Sequence, residues 1–258
     1  MQIGEIDEKI KEKKIIIFDL DMTLSESKVP IDNEMALLLN SALSKYKISV
    51  ISGGKLEQIE KNVLLVLNAS NDLLSNLYLQ PTSGGALYAL ENGKLKEIYN
   101  RKIPDVDRAM IISLLEEAIL ESEVDMPEEI YGERIEDRGA QITFSAFGQK
   151  APMEVKGDWD IDKKKRQKIQ EIFNSKLSKY EASIGGSSSI DINEKGLSKG
   201  YGIVRLIDEL KLYTSDVLFV GDRLEIGGND YSVIETGVDW INVSSSEETK
   251  EILRKLIT

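Results

Sequence analysis

The ten residues "IIIFDLDMTL" constrain this chain more than any other stretch. Ile15 to Phe18 form an uninterrupted apolar run that delivers Asp19, then Asp21 and Thr23 at intervals of two. Four successive apolar residues without polar alternation predict a strand buried on both faces, as in a parallel sheet. Open sheets of that kind place their ligands outside the carboxyl ends of the strands. Two carboxylates there repel each other unless a cation or a proton lies between them. The spacing therefore points to a divalent metal and a phosphorylated ligand.

Residues of matching chemistry recur after later strand-like runs. "KISVISGGK" brings Ser52 and Gly53 to the end of an apolar run, offering a hydroxyl and backbone N–H groups to an anion. "GLSKGYGIVRLIDEL" sets Lys199 at the start of an amphipathic helix, a place that attracts phosphate. "DVLFVGDRLEIGGND" repeats the opening logic with an apolar strand, Asp222, and a glycine-containing loop that carries Asn229 and Asp230. Each feature alone reads as an ordinary turn or surface charge. Four in this order are hard to assign to chance.

The order Asp-x-Asp-x-Thr, Ser-Gly, Lys and Gly-Asp resembles the haloacid dehalogenase superfamily of phosphotransferases, from Asp19 to Asp230. Four residues separate Gly221-Asp222 from "GGND", a spacing similar to the eukaryotic-type phosphomannomutase branch of the type IIB capped enzymes. "RGAQITFSAFG" and "IGGSSSIDI" resemble that branch as well. The resemblance implies Asp19 as nucleophile and Asp21 as general acid and base. It implies Mg2+ held by Asp19, Asp222 and the backbone carbonyl of Asp21, with Asp230 acting through a water and Asn229 beside it. Lys199, Ser52 and Gly53 would hold phosphoryl oxygens, with Thr23 ordering the loop. Arg138, Ser189 and Asp191 match positions that hold the sugar and its second phosphate. Three departures stand out: Met22 replaces a glycine of the branch, Arg223 follows the metal aspartate, and Gln149 replaces an arginine.

Alternating helix and strand patterns predict an α/β fold, a Rossmann-like parallel-sheet core with an inserted α+β cap domain. The expected boundaries are 1–88 and 186–258 for the core and 89–185 for the cap, which the resemblance implies is mobile and closes over the phosphate site. Asn92-Gly93 marks a hairpin near the first boundary. "KKKRQKIQEIF", with Ile169, Ile172, Phe173 and Leu177 at helical spacing, reads as an amphipathic helix with a solvated basic face.

The chain has 258 residues and a formal net charge of -12, which argues against a nucleic-acid partner. It lacks histidine and cysteine, which removes Ser-His-Asp catalysis, thiolate nucleophiles and His- or Cys-ligated zinc, leaving carboxylates and oxygen-loving cations. No stretch reaches the roughly 20 apolar residues of a membrane span, and "MQIGEIDEKI" lacks a secretory pattern. A cytoplasmic protein is expected, a monomer or a cap-mediated homodimer, with a small phosphorylated molecule as its partner. With Gln149 where the resembled branch carries an arginine, retention of a bisphosphate is expected to be weaker, so a Mg2+-dependent phosphatase of sugar phosphates ranks first. Phosphomannomutase stands close behind, and a non-catalytic phosphosugar-binding module is third.

Overall fold

The computed structural model describes residues 8–156 and 159–258. Strands β1 (Ile15–Asp19), β2 (Lys47–Ile51), β3 (Leu77–Gln80), β4 (Ala86–Glu91) and β5 (Lys94–Asn100) come first along the chain. Then follow β6 (Ile135–Asp137), β7 (Gln141–Ser145), β8 (Tyr180–Ile184) and β9 (Ser189–Glu194), and finally β10 (Val217–Gly221) and β11 (Asp239–Asn242). The chain divides into two compact units, one of Met1–Asn100 with Ser198–Thr258 and one of Arg101–Leu197.

The first unit holds a seven-stranded sheet in the order β11-β10-β1-β2-β3-β4-β5. Its first five strands are parallel, and β4 and β5 form an antiparallel hairpin at one edge. Successive strand residues point to opposite faces. Ile16 and Phe18 therefore enter one core with Met35 and Leu39 of the helix Asn33–Leu43 and Ile252 and Leu253 of the helix Ser246–Ile257. Ile15 and Ile17 enter the other with Ile203 and Leu206 of the helix Lys199–Leu210. Helices on both faces explain why β1 is apolar at every position up to Asp19. Asp32 starts the helix Asn33–Leu43 by accepting the N–H of Met35 at 2.8 Å.

The second unit is a four-stranded antiparallel sheet in the order β6-β7-β9-β8. Ile142, Phe144, Ile190 and Ile192 face a core shared with Ile111 and Leu115 of the helix Asp105–Glu121 and Ile169 and Phe173 of the helix Lys164–Lys176. The period of two turns Gln141, Thr143 and Ser145 to the opposite face, beside their cross-strand partners Asn193, Asp191 and Ser189. One helix-covered apolar face and one polar face make this an α+β unit.

The structure moves both expected domain boundaries, from 89 and 186 to 101 and 198. The β4–β5 hairpin turns at Asn92 and Gly93, both at positive φ, and pairs with β3, so it completes the first sheet instead of leaving it. Gly185-Gly186 is a tight connection between β8 and β9, closed by the Gly185 N–H on the Ser189 carbonyl at 3.0 Å. The basic helix also differs from expectation at one residue. Arg166 is buried, and its Nε lies 2.7 Å from Asp160 Oδ2. Among the described residues no helix is long and apolar enough to cross a membrane.

Candidate active site

β1 and β10 are parallel neighbours in register, Phe18 opposite Val220, so their carboxyl ends deliver Asp19 and Asp222 side by side. The helix Lys199–Leu210 begins next to them, capped by Ser198, whose hydroxyl accepts the N–H of Tyr201 at 3.3 Å. A lysine at the first position of a helix lies at the positive end of its dipole, an unfavourable place for a cation. Carboxylates offset that: Lys199 Nζ is 2.6 Å from Asp19 Oδ1 and 2.6 Å from Asp230 Oδ1. Asp230 reaches this position because residue 221 is glycine. A Cβ there would lie 2.5 Å from Asp230 Oδ2.

Asp19, Lys199 and Asp230 are all buried, and Asp222 is half-buried. Burial pushes the Asp19 carboxyl well above the usual carboxylate range; Lys199 opposes this, while Asp230 and Asp222 add to it. Asp222 is raised as well, by burial and then by Asp230. For Lys199, burial would favour the neutral amine, but the two facing carboxylates outweigh it and hold the ammonium above its ordinary range. Three acids thus share one cation, an excess of negative charge in a buried place.

The donor set suits a hard divalent cation. One carboxylate oxygen from each of Asp19, Asp222 and Asp230 lies within 4.8 Å of the others, and all three donors are oxygens. Asp230 has both oxygens engaged, Oδ1 by Lys199 and Oδ2 by the N–H of Arg223 at 3.1 Å. Asp222 Oδ1, by contrast, is buried without a hydrogen-bond partner. Such an orphan is costly unless something fills it, and a metal ion fits.

The remaining core residues are placed as follows. Asp21 does not join the acidic trio; its Oδ1 accepts the N–H of Lys28 at 2.6 Å. Met22, beside it, has φ of 64°, which explains why glycine suits that position. Thr23 is fully buried with its hydroxyl unsatisfied. Ser52 is buried, its hydroxyl accepting the N–H of Gly54 at 3.0 Å, and Gly53 lies between them. Asn229 is exposed.

The second unit gathers its own expected residues. Arg138 Nε pairs with Glu136 at 2.7 Å, and its Nη2 donates to Gln149 Oε1 at 3.1 Å. Gln149 spends its amide N–H groups on the carbonyls of Arg134 and Thr143. Asp191 accepts the hydroxyl of Thr143 at 2.8 Å, directly across the strand pair, and Ser189 lies two residues before it on β9. Glu136 and Thr143 escape sequence reasoning. The alternation of "AQITFSAF" carried the signal for Thr143, whereas nothing local marks Glu136.

Residues 35–258 match the family model for eukaryotic phosphomannomutase. The chain belongs to this family. It is 30% identical to the phosphomannomutase of Encephalitozoon cuniculi over 250 residues, 92% of this chain and 91% of the relative. To that of Saccharomyces cerevisiae it is 26% identical over 267 residues, 99% of each chain. Among solved structures, an IMP-bound IMP-nucleotidase from Plasmodium falciparum superposes with a TM-score of 0.70 at 18% identity, covering 95% of this chain and 67% of that one. A haloacid dehalogenase-like hydrolase from Bacteroides thetaiotaomicron gives 0.64 at 15%, covering 94% and 99%. These two likenesses establish the fold. Membership of the phosphomannomutase family, on this fold, makes the chain a haloacid dehalogenase-type phosphotransferase, and the phosphomannomutase relatives favour the mutase over the hydrolase that the sequence reading ranked first.

Proposed function

We propose that this chain is a phosphomannomutase, interconverting mannose 1-phosphate and mannose 6-phosphate through a phosphorylated Asp19. The observation that carries the reading is the buried Asp19–Lys199 contact at the carboxyl end of β1, in a chain whose relatives bear that name. Phosphate monoesters resist hydrolysis, so a catalyst must supply an in-line nucleophile, neutralise the phosphoryl oxygens and protonate the leaving oxygen. A chain without histidine or cysteine has carboxylates for the first and last of these tasks.

A bound hexose bisphosphate first loads Asp19: a carboxylate oxygen attacks one phosphorus, and the Asp–O–P bond forms as the P–O bond to the sugar breaks. Asp21 gives up the Lys28 N–H and protonates the departing sugar oxygen. In the return step the free hydroxyl of a mannose monophosphate attacks the phosphorus held on Asp19, passes its proton to Asp21 and restores Asp19; the resulting bisphosphate turns around and reloads Asp19 from its other phosphate. Lys199, the Ser52 hydroxyl and the Gly53 N–H hold phosphoryl oxygens, and Thr23 orders the loop. Mg2+, when held by Asp19, Asp222 and the Asp21 carbonyl, supplies positive charge that lowers the repulsion between these carboxylates and the phosphoryl group. Asp230 fixes the Lys199 ammonium, and Asn229 lies at the exposed rim. Arg138, Ser189 and Asp191 are assigned to the second phosphate and the sugar hydroxyls.

One observation favours a hydrolase as the second reading. Gln149 offers no charge, and Arg138 is already paired with Glu136, so this unit grips a bisphosphate less firmly than two unpaired arginines would. Phosphorus NMR of the enzyme with Mg2+, mannose 1-phosphate and a hexose bisphosphate primer separates the two. Mannose 6-phosphate is expected to accumulate well ahead of free phosphate. Free phosphate as the main product would replace the mutase reading with the hydrolase.

A further inference from the structure

After β3 the backbone passes through three consecutive residues at positive φ: Thr82 at 51°, Ser83 at 57° and Gly84 at 83°. That region is foreign to a β-branched residue, and Thr82 is buried as well. Such a conformation persists only where its surroundings over-determine it. Here the successive N–H groups of the turn converge on the phosphate loop. Thr82 donates to the Gly54 carbonyl at 2.9 Å and Ser83 to the Ser52 carbonyl at 2.8 Å, while the Ser52 N–H returns a bond to Gln80 at 3.0 Å.

The far side of the same turn carries the helix that begins at Lys199. A Cβ on Gly202 would lie 2.7 Å from the Gly84 Cα, and one on Gly84 would lie 2.5 Å from the Gly202 Cα, so two backbones touch without side chains between them. Tyr99 of β5 fastens both parts. Its hydroxyl donates to the Gly84 carbonyl at 2.9 Å, and its ring lies under the guanidinium of Arg205, on the Lys199 helix, at 5.6 Å.

We infer that the Thr82–Gly84 turn, locked by Tyr99, is a positioning element that sets the separation between the Ser52 loop and Lys199, and thereby the fit of the phosphoryl group. The inference rests on the reading of Ser52 and Lys199 as the holders of the phosphoryl oxygens. A wider or narrower gap would weaken every phosphorylated ligand alike, whatever its sugar. Tyr99 is not among the residues assigned to the phosphoryl group, and its effect passes through the turn and the Lys199 helix that it joins.

The test compares the inhibition constant of inorganic phosphate, the KM for sugar phosphate and the melting temperature across variants of the full chain, with Mg2+ present. Ser52→Ala should raise the phosphate constant, which checks the underlying assignment. Tyr99→Phe keeps the ring and loses one hydrogen bond; it should raise the phosphate constant and the KM by a common factor of roughly three to ten. Gly202→Ala should do so more strongly. Tyr88→Phe is the control: it loses the bonds to Glu97 and Asn100 in the same hairpin but packs on the opposite face of the sheet from Tyr99, and should lower the melting temperature while leaving the phosphate constant unchanged. If Tyr99→Phe stays within about twofold of wild type while Ser52→Ala does not, the positioning role is overturned. An unchanged constant in Ser52→Ala overturns the phosphoryl assignment itself, and the inference with it.

Discussion

Each unit of this protein buries a cation against carboxylate, and the two assemblies differ in balance. In the inserted unit Arg166 faces Asp160 one to one. The guanidinium also donates to the Gly186 carbonyl at 2.5 Å and the Asp160 carbonyl at 3.3 Å, while the carboxylate accepts the N–H groups of Lys165 and Arg166. In the first unit Lys199 pairs with Asp19 and Asp230, a third acid, Asp222, lies beside them, and one buried oxygen of Asp222 is left over. A buried ion pair is therefore poor evidence for a site by itself. The unmet charge marks the chemistry, because only an assembly with surplus negative charge has affinity left for a metal ion, which in turn makes room for a phosphoryl group.

The comparison breaks most sharply at Asp19. Asp19→Asn keeps the shape of the side chain and should cost about 10^4-fold or more in turnover, with the circular dichroism spectrum unchanged. Turnover within tenfold of wild type would remove Asp19 from the reaction. Arg166→Met in the balanced assembly should act on stability instead, by about 3–5 kcal/mol, since it strands Asp160 as a lone buried charge. The double variant Asp160→Leu with Arg166→Met should recover most of the loss. Denaturant unfolding followed through Trp159 in a Trp240→Phe background reads this out, and equal losses in single and double variants would contradict it.

Mg2+ should stabilise the unbalanced assembly alone. At a hundred times its dissociation constant the gain is about 2.7 kcal/mol. Thermal unfolding should show this in wild type, and Asp222→Asn should lose most of it; an equal shift in both would separate the metal from Asp222. A smaller effect is expected at Gln149→Arg, which should move the ratio of mannose 6-phosphate to free phosphate a fewfold towards transfer. An unmoved ratio would show that the charge at this position does not set retention. Least of all, Met22→Gly should be neutral or gain up to about 1 kcal/mol by relieving its positive φ, whereas Met22→Ile should lose stability. Denaturation midpoints in the reverse order would mean that Met22 is held by its side chain.

What the sequence made legible was local and strongly patterned. The run ending at Asp19, the run ending before Asp222, and Lys199 at a helix start each need only a few neighbouring residues to declare themselves. The boundaries did not, because a hairpin looks alike whether it pairs with β3 or begins a new sheet, and "IGGSSSIDI" alternates equally well in either unit. Pairing across long sequence distances decides both. Arg166 was hidden for the same reason: a lysine-rich helix start reads as solvated until Asp160 is seen beneath it. Asp21 needed the loop geometry that places the Lys28 N–H in front of it.

The central place of β1 has a consequence for synthesis. Ile15 pairs with Lys47 on one side and with Val217 on the other, so the strand emerges from the ribosome early and waits about 200 residues for its second neighbour. Meanwhile Arg101–Leu197 forms a contiguous stretch that can close on its own. The middle of the chain can thus fold first and the first unit last, an order opposed to the usual N-terminal-first course. Until β10 arrives, β1 is a bare apolar edge, open to association with other chains. Contacts this distant in sequence make folding slow. A nascent chain of this protein should therefore depend on chaperones longer than its modest length would indicate.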